Sequence, residues 1–533
     1  MNQAEVKRRQ AQAISTILAL ITLAVVARLT GYNGVTYVAA ALEVYTFLYV
    51  IISAGIVDAL GRVLRLRKTK GQYRNAERMR RNAMLFQMAL GAAGAAIALI
   101  GGERIAEKMF KVQYSSLILM LLAPVVFLRS VSQVLLGYSR GERAELPAAA
   151  AGILRQLFIL GFSVLFCKIT SNYGYKVSRL LVQENYTSMF GGVGVSIAVT
   201  LSEVFVIIFL LLIYRKSRRP ENRAVQEGMR VTDSFMDSIR ILCVNRGAQV
   251  GILLLAILSI PVGLISFQKA GDSSGKAAEY GVYLAGYCVV WGFCAALVML
   301  ALIPICGKTV SLLRKDEQRF ARTVFQGGVH AGVVCSAFFV VFVTVMAPQM
   351  AAVVCPEQAE LGAKMLRGGS LVILSVALCL YFARLLILTG RKYLVLAAVA
   401  VADVIDILAV AVLLNVGKVG ILALVYGGMA GSGVLCIILG MLAYRQFRQR
   451  MDWMQTLVVP LAVACVTGLL GMLLGKVFTP HLGNLITLIV CLVFMEVLYW
   501  AGLLLLRNFR EQELEIMPGG KLLNAMGQML RVL

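Results

Sequence analysis

Long apolar runs separated by short polar segments repeat from one end of the chain to the other. Each run approaches the roughly 20 residues that carry a helix across about 30 Å of hydrocarbon. The pattern predicts an all-α polytopic membrane protein with about fourteen transmembrane helices. In the first half these are Ala11–Leu29, Val35–Ala59, Ala83–Ile100, Leu117–Gly137, Leu146–Phe166 and Val195–Tyr214. In the second half they are Ile241–Ile265 (with Pro261 as an expected kink), Tyr280–Ile305, Gly327–Met346, Leu371–Leu388, Tyr393–Leu414 and Val419–Ala443. Leu457–Leu474 and Leu485–Leu506 complete the count. A tight turn is expected at Gly31-Tyr-Asn-Gly34, and a long outer loop at Cys167–Gly194. The basic loop Arg215–Arg240 divides the pattern into 1–225, 226–450, 451–506 and a polar tail, 507–533.

Composition agrees with this reading. Of 533 residues, 59% are hydrophobic, and the mean hydropathy is +0.82. No polar block is large enough for a separate soluble domain. The net charge of +25 would suit nucleic acid, but Lys and Arg cluster in short segments between the apolar runs. Arg62–Arg81 is the most basic of these; Lys308–Arg322, Gly390–Lys392 and Arg445–Arg450 are others. Such charge orients a membrane protein and meets anionic lipid. It places both termini on the cytoplasmic side, and Lys7-Arg8-Arg9 then precedes a retained first helix rather than a cleaved signal.

The eleven cysteines include no CxxC pair and read as small buried hydrophobes. Only Cys167 and Cys355 fall near expected outer loops, where a bridge is conceivable. His330 and His481 are too far apart in sequence to suggest a metal pair. Asn185-Tyr186-Thr187 fits a glycosylation sequon, which matters only in a eukaryotic secretory context. No phosphate-binding glycine loop, metal spacing or nucleophile elbow occurs, so neither an enzyme nor an ATP-driven pump is expected.

Charges inside the apolar runs carry the remaining chemistry. They are Arg28, Glu43, Arg129, Arg155 and Glu203 in the first half, and Arg246, Arg384, Asp403 and Asp406 in the second. A charge at the bilayer centre costs about 3 kcal/mol on insertion scales, so it faces protein or a watery cavity. Arg129 and Arg155 flank a polar turn holding Arg140, Glu142, Arg143 and Glu145, and together predict a cationic cavity. Arg28 and Arg384 lie near helix ends, where snorkelling or pairing competes with a cavity role. Guanidinium binds phosphate bidentately and keeps its charge. The set Arg28, Arg129, Arg155, Arg246 and Arg384 therefore suits a phosphate or pyrophosphate substrate. Asp403 and Asp406, three residues apart, share a helix face. They are either a site for a coupling Na+ or H+ or counter-charges to Arg384. Dense small residues, as in Ala148–Gly152 and Gly427–Gly433, favour close helix packing.

The sequence resembles a known family at these points. One helix ends in Arg28-Leu-Thr-Gly31, Tyr37 follows, and the second helix carries Gly55 and Ala59. Then come the basic loop and GYSRGERAELPAAAAGILRQ, where Pro147, Arg155 and Gln156 match loosely, and a later helix ends near Leu302-Ile303-Pro304. The whole resembles the MOP superfamily of multidrug, oligosaccharidyl-lipid and polysaccharide exporters, nearest its polysaccharide-export, stage V sporulation protein B and lipid II flippase branch. The resemblance implies two six-helix lobes in a V, alternating access, and two final helices lining a lipid-tail groove. It also implies that Asn245 faces Asp403 and Asp406 as a third oxygen ligand. The expected function is a flippase for a lipid-linked oligosaccharide or cell-wall precursor in the bacterial cytoplasmic membrane. Its partners would be that lipid-linked substrate, membrane lipids and glycosyltransferases or cell-wall synthesis machinery, with no nucleic acid and no cofactor beyond the coupling ion. The alternatives are a cation-coupled multidrug exporter of the same fold and a non-transporting membrane assembly factor.

Overall fold

The computed structural model describes residues 3–112, 114–141, 145–217, 234–270, 275–447, 452–509 and Gly520. All its regular structure among these residues is helical. The first compact unit is 7–281; the second is 282–533 with 1–6. In the first lie α1 (Gln3–Ser53), α2 (Ile56–Thr69), α3 (Tyr73–Glu103), α4 (Ser115–Gly141), α5 (Glu145–Leu181), α6 (Asn185–Ser217), α7 (Phe235–Lys269) and most of α8 (Lys276–Val282). The second holds α9 (Val289–Arg314), α10 (Gln318–Val345), α11 (Ala347–Val354), α12 (Ala359–Gly369), α13 (Val372–Leu388), α14 (Lys392–Asn415), α15 (Leu422–Phe447) and α16 (Val459–Leu505).

Eleven helical stretches among the described residues are long and apolar enough to span, or twelve if the bent pair Pro356–Gly369 and Val372–Leu388 is one span. Two of these stretches are far too long. Val6–Thr69 has 64 residues and Met454–Leu505 has 52, about 96 Å and 78 Å at 1.5 Å per residue. Each folds back at one glycine. Gly31 (φ 72°, ψ 168°) and Gly483 (φ 74°, ψ 168°) occupy a backbone region open essentially to glycine alone. Contacts confirm the reversals. Across Gly483, a Cβ on Gly471 would lie 2.2 Å from Met495 Sδ, and one on Gly502 would lie 2.8 Å from Val463 Cγ1. Across Gly31, Arg8 comes within 3.7 Å of Asp58. Twelve stretches, two of them double, make fourteen spans, as the apolar pattern predicts.

Two sequence expectations are corrected. The outer loop Cys167–Gly194 is almost wholly helix, because α5 and α6 continue to Leu181 and back from Asn185. At 37 residues α5 is about 55 Å long, well beyond the hydrocarbon. Glycines let the two backbones meet: a Cβ on Gly174 would lie 2.8 Å from Tyr186 O, and one on Gly194 would lie 2.7 Å from Cys167 N. Cys167 is thus a buried helical thiol, and all eleven cysteines are free. Second, the basic stretch Arg62–Arg81 is mostly the amphipathic α2 and the start of α3. Leu60, Val63 and Leu64 bury against Met79, Val134 and Tyr138, while Gly61, Gly137 and Gly141 let α2 lie close on α4. The first compact unit ends at Gly281. The expected divider at 225 lies outside the described residues, as do Glu142, Arg143 and most of the tail. Helix α7 packs on α2 and α3, where Asn82 Nδ2 donates to Ser238 Oγ at 3.0 Å.

Candidate functional site

A cavity of about 370 Å³ opens within the first unit. Its walls come from both halves of α1 and from α2, α4, α5 and α7. Helix α5 brings Arg155 to it ten residues past its start, about 15 Å along the axis. Arg155 is 8% exposed. Its Nε donates to Glu203 Oε2 at 2.7 Å and its Nη2 to Oε1 at 3.2 Å, a bidentate pair. Arg129 of α4 donates from Nη1 to the same Oε2 at 3.1 Å, and Ser132 Oγ to Oε1 at 2.5 Å. Glu203, on α6, is 2% exposed. Its carboxylate therefore takes four bonds while two guanidiniums share its one negative charge. The Arg129 guanidinium also stacks on the Tyr49 ring, 5.2 Å from the centroid.

A second basic group lies where the cavity meets the helix ends. Arg8 and Arg9 approach Asp58 at 3.7 Å and 3.9 Å, and Arg140 also pairs with it. On the wall itself stand four arginines (Arg8, Arg9, Arg129 and Arg155) and one carboxylate, Asp58. Glu203 behind them still leaves the site net positive. Gln12, Gln133 and Gln249 add neutral hydrogen-bonding groups. Chemically, the cavity offers charge and donors to an anion and hydroxyl-matching amides beside them.

The other sequence candidates lie elsewhere. Arg28 is exposed on the first half of α1. Arg246 is half-buried and spans to the end of α1, donating to Ile52 O at 2.6 Å and to Ile51 O at 2.8 Å. It satisfies carbonyls where the helix breaks before Gly55. Asn245 donates to Ile241 O of its own helix at 2.8 Å. Arg384, Asp403 and Asp406 belong to the second unit, and each is engaged with neighbours. Asp403 is 8% exposed. Asp406 packs into the glycine stripe of α15, where a Cβ on Gly431 would lie 2.7 Å from its Cβ. His330 pairs with Asn508 at 3.0 Å, and His481 is exposed. A larger, almost wholly apolar cavity of about 830 Å³ opens in the second unit between α10, α13 and α15, with Trp453 and Leu457 on its rim.

Sequence reasoning missed Arg8, Arg9 and Asp58, because basic residues before a first helix read as an orientation signal. It noted Glu203 without its role. The only signal was a lone acid on α6 facing two lone arginines, at sequence separations of 74 and 48.

No family model and no curated protein matches the sequence. Solved structures do match in fold. The lipid II flippase MurJ in an inward closed conformation superposes with a TM-score of 0.63 at 10% identity, over 93% of this chain and 97% of that one. An inward-facing MATE-family multidrug resistance transporter of the MOP superfamily gives 0.60 at 15% identity, over 84% and 98%. A MOP superfamily transporter from Pyrococcus furiosus, whose reversed pocket polarity suggests a different function for it, gives 0.53 at 14%, over 84% and 98%. This multi-pass membrane protein has the fold of the MOP-superfamily transporters.

Proposed function

We propose that this protein is a flippase. It would carry a lipid-linked pyrophosphate oligosaccharide or cell-wall precursor across the bacterial cytoplasmic membrane by alternating access, with no enzymatic step of its own. The observation that carries the reading is the wall of the first unit's cavity, with four arginines against one aspartate. Such a wall favours an anion and repels the organic cations that multidrug exporters handle. The glutamines would meet sugar hydroxyls. Glycosyltransferases or cell-wall synthesis enzymes would supply or consume the substrate.

Transport without ATP needs a gradient or a voltage, and one charge moved across the bilayer is worth about 2.3 kcal/mol per 100 mV. Asp403 and Asp406 of the second unit are the proposed Na+ or H+ site, and oxygen ligands suit those ions. The test is complementation of strains lacking a flippase of matching substrate. Arg155→Ala should abolish growth and Arg155→Lys should restore part of it, since lysine keeps charge but not the fork. Asp403→Asn with Asp406→Asn should remove the dependence of transport on ion gradients. Rescue of that double variant by Arg384→Gln, with ion dependence unchanged, would make the aspartates counter-charges. Full growth with Arg155→Ala, together with raised tolerance to cationic compounds, would favour the multidrug exporter. The matches to MATE structures keep that second reading in play. Normal growth with all cavity charges removed would favour an assembly factor.

A further inference from the structure

We propose that Glu43 is a proton-binding site, carrying a proton on Oε2 while Tyr280 holds its other oxygen. Glu43 lies twelve residues past the Gly31 turn, about 18 Å along the second half of α1, which is inside the hydrocarbon. Its Oε1 accepts a bond from the Tyr280 hydroxyl at 2.8 Å. Its Oε2 is buried and has no hydrogen-bond partner among the described residues. No ion pair reaches it there. Tyr280, on α8, is the titratable group facing it; Tyr49, further along α1, instead stacks beneath Arg129.

Tyr280 is held firmly. It is 0% exposed. Beside it, Thr36 Oγ1 donates to Ala277 O at 2.5 Å. Gly281 lies so close to α1 that a Cβ there would be 2.1 Å from Tyr32 O. Only glycine fits, so the start of α8 is fastened to α1 by three neighbouring contacts.

The contrast with Glu203 decides the chemistry. Glu203 meets two guanidiniums and a hydroxyl. Glu43 meets one phenol. An ionised carboxylate in hydrocarbon with one neutral donor and a bare second oxygen is far costlier than a neutral acid with one unmade bond. Two glutamates in one membrane unit are thus set apart by their partners. When α8 parts from α1, Tyr280 leaves and water reaches Glu43. The Oε2–H bond then breaks, the proton passes to water, and the carboxylate is left hydrated. Proton release is thereby tied to separation of α8 from α1.

The experiment is infrared difference spectroscopy on the full chain in phospholipid nanodiscs at neutral pH, without substrate. Because no substrate is present, its outcome is separate from that of the flippase reading. The expected result is a protonated-carboxyl C=O band that Glu43→Gln removes and that Tyr280→Phe moves to higher frequency, since the carbonyl loses its donor. No band lost in Glu43→Gln overturns the proposal. So does a lost band that Tyr280→Phe leaves in place. If Glu43→Gln does not fold, Tyr280→Phe decides alone: a shifted band supports the site, and an unshifted spectrum overturns it.

Discussion

At the scale of single residues, Glu203 is the keystone of the cationic cavity. Its two oxygens hold Arg155 in a fork, take Arg129 from the side and accept from Ser132. Removing one partner of a buried ion pair leaves an uncompensated charge and costs about 3–5 kcal/mol. Glu203→Gln should therefore lower the unfolding temperature in detergent by several degrees, and by more than Arg155→Lys does. A thermal-shift assay of both variants checks this; equal stability would show that the cavity is solvated enough to screen the arginines. The arginines were legible in the sequence because a charge ten residues into an apolar helix has few other uses. Their shared acid was not, since α6 reaches them only through tertiary packing. Arg246 is engaged differently. Its position inside a helix resembled that of Arg155, yet its guanidinium serves the end of α1.

At the scale of elements, apolar run length was a good guide to spans and a poor one to what joins them. Fourteen runs correspond to fourteen spans, with both single-glycine turns falling between runs. Beyond the hydrocarbon the signal fails. The stretch 167–194 lacks a continuous apolar run, yet it is helical, and Gly174 and Gly194 bring α5 and α6 into backbone contact there. The reversal at Gly483 is testable directly. In a cysteine-free background, Val463→Cys with Gly502→Cys should form an intramolecular disulfide under a mild oxidant, because the two positions face each other across the hairpin. Cleavage at a protease site inserted beside Gly483 should then yield fragments that stay joined until reduced. Separate fragments without reductant would mean that the halves of α16 do not pack together.

For the whole molecule, the even number of spans among the described residues predicts that residues 3 and 509 lie on the same side of the membrane. Basic segments flank the same helix ends, which predicts that this side is the cytoplasm. Cysteines introduced at Gln3 and at the exposed Arg507 in the cysteine-free background should both resist an impermeant maleimide applied to intact cells and both react after lysis. Labelling of one alone would require an odd number of crossings.

The two single-glycine reversals bear on how such a chain is made. A connection of one residue leaves almost nothing outside the bilayer and closes with little loss of chain entropy. The helices it joins emerge from the ribosome one after another and can pair as soon as the second is complete, with only local contacts required. The first hairpin, 3–53, and the last, within Val459–Leu505, would then enter the membrane as paired units. A polar residue such as Glu43 would cross already beside a partner helix, so its insertion would depend less on its own hydropathy than on the neighbour synthesised just before it.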